Sequence, residues 1–186
     1  MSSIEQIKKD LKNNLSEYRY KHSINVAKLA KSLAKRYGVD EDKAYLAGLV
    51  HDIAKEFNDK ENAYYIKKYK LKSNLLKEKY KYLLHGIIGS LYLKEQYGLD
   101  DEICNAVMVH TVGDKNMTML DKILFIADKT EPNKNFYGIE EERKMSYINI
   151  DKTLVLCLEN YVNNRKEKGK KVNQKTLKVI KYYKKG

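Results

Sequence analysis

The chain has 186 residues, 42% hydrophobic and 33% charged, with one Pro and nine Gly; this excludes wholesale disorder and argues against a turn-rich all-β chain. No run approaches the roughly 18 apolar residues of a membrane span. The net charge of +12 invites a nucleic-acid reading, but only four of the 37 basic residues are Arg, and nine Lys lie beyond residue 165, so direct nucleic-acid binding is not expected.

Ser3 precedes an apolar-periodic run with Gln6 three residues on, a capping-box pattern that predicts a first helix of about ten residues. Ser16 caps a longer helix, Glu17 to Tyr37, stopped by Gly38. Its buried stripe reads Tyr18, His22, Val26, Ala30, Leu33 and Tyr37. Asp40 caps the next helix, which runs through AYLAGLV to His51 and Asp52. Another begins at Asp59 and ends near Tyr69, and Leu83 to Tyr97 is helical up to Gly98. Asp100 caps a helix reaching His110, and Thr118 with Asp121 caps MLDKILFIAD. A loop follows with the single proline, Pro132, and two more helices fit residues 140–165 and 173–184. No segment alternates with period two between hairpin turns. The expected fold is an all-α, single-domain helical bundle over residues 1–165. Residues 166–186 form a basic tail or helix, packed on that domain or appended to it.

Cys104 and Cys157 make neither a metal-binding nor a disulfide spacing, and the first 14 residues carry charges where a secretion signal needs its apolar core. Both features point to the cytoplasm. Lys, Asn, Ile and Tyr, all encoded by A/T-rich codons, are abundant, so codon bias accounts for much of the charge. What remains is a mild attraction for small anions.

The chain has four histidines, His22, His51, His85 and His110, and each falls on or at the end of a predicted buried helix face. Burying imidazoles without partners is costly. Asp52 follows His51 at the end of an apolar helix, and Asp128 ends the run ILFIA. A carboxylate at a helix C-terminus opposes the dipole and needs a compensating cation. His22, His51, Asp52 and Asp128 therefore read as a mixed N/O metal shell, suited to Fe, Mn, Co or Zn. No P-loop and no nucleophile elbow is present, so direct attack by a metal-bound hydroxide is the economical mechanism.

The pattern His22, His51-Asp52 and Asp128 resembles the HD superfamily of metal-dependent phosphohydrolases. RYKHSINVAKLA, AGLVHDIAK, the His85-Gly86 pair, HTVG at 110–113 and MTMLDKILFIADKTEP are similar to the YqeK family. The resemblance covers roughly residues 15–165 and implies an HD-domain helical bundle. It also implies symmetrical hydrolysis of diadenosine tetraphosphate, and related dinucleoside polyphosphates, to two nucleoside diphosphates. The metal it implies is iron; the residues themselves leave Mn and Co open, and one ion or two. The chain departs from the family after Glu131-Pro132, where Lys134 replaces an Arg and removes a bidentate fork.

His85 and His110 have two candidate jobs. They ligate a second metal, or they bond the phosphates and protonate the leaving diphosphate. The lack of a further carboxylate obviously paired with them favours the second. Asp52 counts with them as catalytic. Arg19, one turn before His22, and Lys55, three residues after Asp52, are expected on the phosphates, with Lys134 and Arg143 as weaker candidates. His22, His85, His110 and Asp128 also face the substrate. Thr111 and Gly113 shape the loop after His110. The competing readings are an HD nucleotidase or guanosine-polyphosphate hydrolase, and a non-catalytic metal- or RNA-binding adaptor that uses the tail.

Overall fold

The computed structural model describes residues 4–76 and 78–185. Among them there are ten α-helices, one short 3-10 turn at Ser73–Leu76 and no strand, in keeping with the all-α reading. The helices are α1 (Ile4–Asn14), α2 (Glu17–Tyr37), α3 (Glu41–Val50), α4 (Asp59–Lys68) and α5 (Glu78–Tyr97). They continue with α6 (Asp101–Val109), α7 (Met119–Thr130), α8 (Ile139–Ser146), α9 (Ile150–Glu167) and α10 (Gln174–Tyr183). The Ser3 cap lies outside the described residues. No described helix is long and apolar enough to cross a membrane.

Local chemistry sets most helix ends. The Ser16 side chain accepts the Arg19 N–H, Asp40 accepts from Asp42 and Lys43, and Asp100 accepts from Ile103. Thr118 and Asp121 cap α7 reciprocally. Gly38, at φ 67°, closes α2 in the left-handed region that glycine adopts without strain.

Three features differ from the sequence reading. Helix α5 begins at Glu78, before Leu83. The single helix expected over 140–165 is two helices, broken at Tyr147 to Asn149. There Asn149 caps α9, and the freed carbonyls of Ser146 and Tyr147 accept from Tyr37 Oη and Arg36 Nε of α2, each at 2.8 Å. Tyr18, placed on the buried stripe of α2, is exposed.

The core sits where α2, α3, α6 and α7 meet, around Val26, Ala30, Ala47, Ala106, Ile123 and Leu124. Small residues on α2 and α3 bring these two helices into backbone contact. A Cβ on Gly48 would lie 2.6 Å from the Ala27 Cα. The tail helix α10 buries Val179, and Tyr183 Oη accepts from the Met117 N–H at 3.0 Å. Asn173 Nδ2 donates to Tyr82 Oη at 3.0 Å, one turn before His85. Both cysteines are free and buried.

Candidate metal centre

Five elements deliver the chemistry to one buried point. His22 comes from the second turn of α2, His51 and Asp52 from just past the end of α3, and His85 from the middle of α5. His110 caps α6, and Asp128 lies in the last turn of α7. All four imidazoles are at most 4% exposed. Helix α3 buries Ala44, Ala47, Gly48, Leu49 and Val50, so it ends inside the protein instead of at its surface.

The last carbonyls of a helix have no intrahelical donor. Here two histidines use them: His51 Nδ1–H donates to Gly48 O at 2.8 Å, and His110 Nδ1–H to Val107 O at 2.6 Å. His22 Nδ1–H donates to Glu131 Oε1 at 3.1 Å. Each bond fixes a tautomer and turns the Nε2 lone pair toward the same space.

Asp52 divides that space. Its Oδ2 lies 3.5 Å from His51 Nε2 and 3.9 Å from His22 Nε2. Its Oδ1 lies 3.3 Å from His85 Nε2 and 3.7 Å from His110 Nε2. Asp128 Oδ1 stands 3.1 Å from His22 Nε2 and 3.6 Å from His51 Nε2. The His85 and His110 Nε2 atoms are 3.1 Å apart.

The donors fit a metal ion. His51 Nε2 is buried and has no hydrogen-bond partner, a costly state unless a cation takes its lone pair. With its Nδ1 proton on Glu131, His22 aims a second lone pair at the Asp128 carboxylate. Ligand atoms of His22, His51 and Asp128 lie within 4.8 Å of one another, as do those of His51, Asp52 and His110. Bonds of about 2.1 Å to one ion would place neighbouring donors at such separations.

The electrostatics are those of a site built for cations. Burial opposes ionisation of Asp52, but His51 and His110 outweigh it and hold the carboxyl well below its ordinary range. Asp128 is likewise held down against its burial by Lys129 and His22. Burial works against a charge on His51, yet the two carboxylates push it up to about 9. Burial and the neighbouring His110 and Lys55 push His85 far down, and burial lowers His110.

The expected cations fall into two groups. Arg19 Nη1 donates to Asp52 Oδ2 at 2.6 Å, and its Nε is buried without a partner. Lys55 Nζ stands 3.1 Å from His85 Nε2 and 3.9 Å from Asp52 Oδ1. Burial lowers its pKa despite that carboxylate. Arg143 is spent on the loop after α7: its guanidinium donates to the carbonyls of Thr130, Glu131 and Lys134 at 2.8–2.9 Å and pairs with Glu140. The Lys134 side chain makes no bond among the described residues; its backbone N–H closes a turn onto Glu131 O. Thr111 and Gly113 follow His110, with Gly113 at φ 71° packed against Val179.

Two residues escaped the sequence reading. Glu131 is buried and holds His22, Asn25 and the Asn133 N–H. Lys129 Nζ bonds Asp128 Oδ2 at 2.5 Å, leaving Oδ1 to face the histidines. The signal for Glu131 was an acidic residue directly before the single proline.

Residues 19–133 match the family model of the HD domain. The chain is 36% identical over 168 residues to a protein named bis(5'-nucleosyl)-tetraphosphatase, symmetrical, from Halalkalibacterium halodurans, covering 90% of this chain and 89% of that one. It is 35% identical over 185 residues to a protein of the same name from Staphylococcus aureus, covering 97% and 94%. A crystal structure described as a "predicted HD superfamily hydrolase involved in NAD metabolism" from Clostridium acetobutylicum matches with a TM-score of 0.92 at 35% identity, covering 100% of this chain and 98% of that one. With the His-Asp centre assembled and the match spanning almost the whole length, the chain belongs to the HD-domain family, in the group that holds the symmetrical bis(5'-nucleosyl)-tetraphosphatases.

Proposed function

We propose that this protein hydrolyses diadenosine tetraphosphate symmetrically, to two molecules of ADP, with a pair of divalent metal ions. The observation that carries the reading is Asp52, whose two oxygens face different donor sets, His22 and His51 on one side and His85 and His110 on the other. His22, His51, Asp128 and Asp52 Oδ2 would hold one ion; Asp52 Oδ1, His85 and His110 would hold the other. Asp52 Oδ1 is the carboxylate that the pair His85 and His110 lacked in the sequence, so the metal job suits them better than the phosphate job. The N/O donors suit iron, manganese or cobalt, and iron is the ion the family resemblance implies. Bound there, such ions supply Lewis acidity toward a phosphoryl oxygen and a water acidic enough to react near neutral pH.

The chain's own groups do the rest. The Nδ1 bonds of His22, His51 and His110 hold the imidazoles in place before substrate arrives, so no reorganisation is needed on binding. Arg19, with a buried donor to spare, faces the phosphates from the His22 side. Lys55 faces them from the His85 side, and its depressed pKa fits it to give a proton to the leaving diphosphate. Lys134 adds a charge on the loop, while Arg143 holds that loop in place instead of touching phosphate. We place the protein in the cytoplasm, where its two buried thiols stay reduced.

Hydrolysis in ¹⁸O-water tests the assignment. The expected outcome is ADP as sole product, with label on the β-phosphate of one ADP per turnover, and about two ions per chain by metal analysis. AMP plus ATP would overturn symmetric cleavage, and faster turnover of guanosine polyphosphates would move the substrate elsewhere.

A further inference from the structure

We propose that Tyr18 is a stacking platform for one nucleobase of the substrate, an inference that rests on the nucleotide hydrolase reading above. Tyr18 lies one turn before His22 on α2, on the side that the helical period assigns to the core. The residue is nevertheless 67% exposed. It forms no hydrogen bond among the described residues, and its one ring partner there is Arg19, whose guanidinium carbon stands 5.7 Å from the ring centroid.

Arg19 ties this ring to the metal centre. Its Nη1 reaches Asp52 Oδ2 at 2.6 Å, and its Nε carries an unused buried donor. A single side chain thus runs from a metal-ligating carboxylate to an open aromatic face. A ribose with two phosphates spans a comparable gap. With a phosphate on Arg19, the attached nucleoside comes within reach of the ring. A cation over one face and solvent over the other leave the second face for a purine. Stacking of this kind tolerates any base, since every base has a π-face. Nothing in the core needs the phenol ring, so truncating it opens no cavity.

The chain contains no Trp, so Tyr18→Trp installs a single indole at the proposed platform. In the manganese-loaded Tyr18→Trp variant, ADP should quench the emission saturably. Pyrophosphate should displace ADP without quenching by itself. In the otherwise native chain, Tyr18→Ala should raise the Kd of ADP about tenfold and leave that of pyrophosphate unmoved, while Tyr18→Phe should keep the native value. Emission that ignores ADP, whether ADP binds elsewhere or not at all, would overturn the proposal. So would a Tyr18→Ala variant that loses pyrophosphate as much as ADP. Failure of the hydrolase reading shows separately, as wild-type protein that does not turn over diadenosine tetraphosphate.

Discussion

Gly48 lies on α3, three residues before His51, and a Gly48→Ala substitution sets two opposing effects against each other. Inside a helix, Ala is favoured over Gly by roughly 1 kcal/mol. The new Cβ, however, would lie 2.6 Å from Ala27 Cα, 2.8 Å from Ala27 N and 3.0 Å from Val26 C. These are backbone atoms, and no rotamer change relieves them. Ordinary contact begins at 3.4 Å, so α3 must move from α2 by most of an ångström. Overpacking costs about 1–3 kcal/mol, and backbone neighbours put this site at the upper end. The net loss is about 2 kcal/mol, or about 4–8 °C in Tm for a chain of this length. The same shift carries His51, which bonds the Gly48 carbonyl at 2.8 Å, away from His22 and Asp128, so metal retention should fall as well. Gly89→Ala is the control: its Cβ would meet side-chain atoms at 3.5, 3.6 and 3.8 Å, and only the propensity gain remains. Thermal melts with parallel metal analysis decide the matter. A Gly48→Ala protein that melts at or above wild type with full metal content would refute the close-approach argument, as would equal damage from Gly89→Ala.

Asp52→Asn removes the charge that both donor sets share; metal analysis should show both ions lost and hydrolysis abolished, whereas His85→Ala should keep about one ion per chain. Arg19→Ala should lower kcat/KM by about 1–3 kcal/mol equivalent, the usual size of a charge-assisted contact, with metal content unchanged. Arg143→Lys frees the carbonyls of Thr130, Glu131 and Lys134, so Glu131 should hold His22 less firmly; weaker metal retention at native helix content, read by titration and circular dichroism, is the expected result. The pH dependence carries a sign that reverses. His51, raised to about 9 in the metal-free protein, stabilises the fold fully below pH 6.5 and loses that contribution as pH rises toward 9. His85 and His110, pushed down, make stability fall as pH drops below 6.5, because the unfolded chain then binds the protons. Chelator-treated protein should therefore melt highest near pH 6.5 and lower at pH 9, while metal-loaded protein, which needs His51 neutral, should not weaken over that range. Parallel melting curves with and without metal would contradict the placement of His51.

The ends of α2, Ser16 and Gly38, are legible in the sequence because a cap bonds residues within one turn of itself. The four histidines and two aspartates stand out because polar side chains on apolar helix faces must find partners, and that cost is visible before any fold is known. The break between α8 and α9 is not legible, since the groups that donate to its freed carbonyls, Arg36 and Tyr37, lie 111 and 109 positions away. Nor does spacing tell that Glu131 holds His22, that Arg143 holds the Glu131 loop, or that Tyr18 turns outward from a stripe that is otherwise buried or, at Tyr37, half-buried. Above all, the sequence offers Asp52 as a single candidate ligand, whereas the tertiary structure gives each of its oxygens a different pair of histidines. Periodicity reports which face of a helix leaves water, and it carries no information about what that face meets. The partner is set by how closely the helices approach, and at Gly48 and Ala27 that distance depends on a missing side chain.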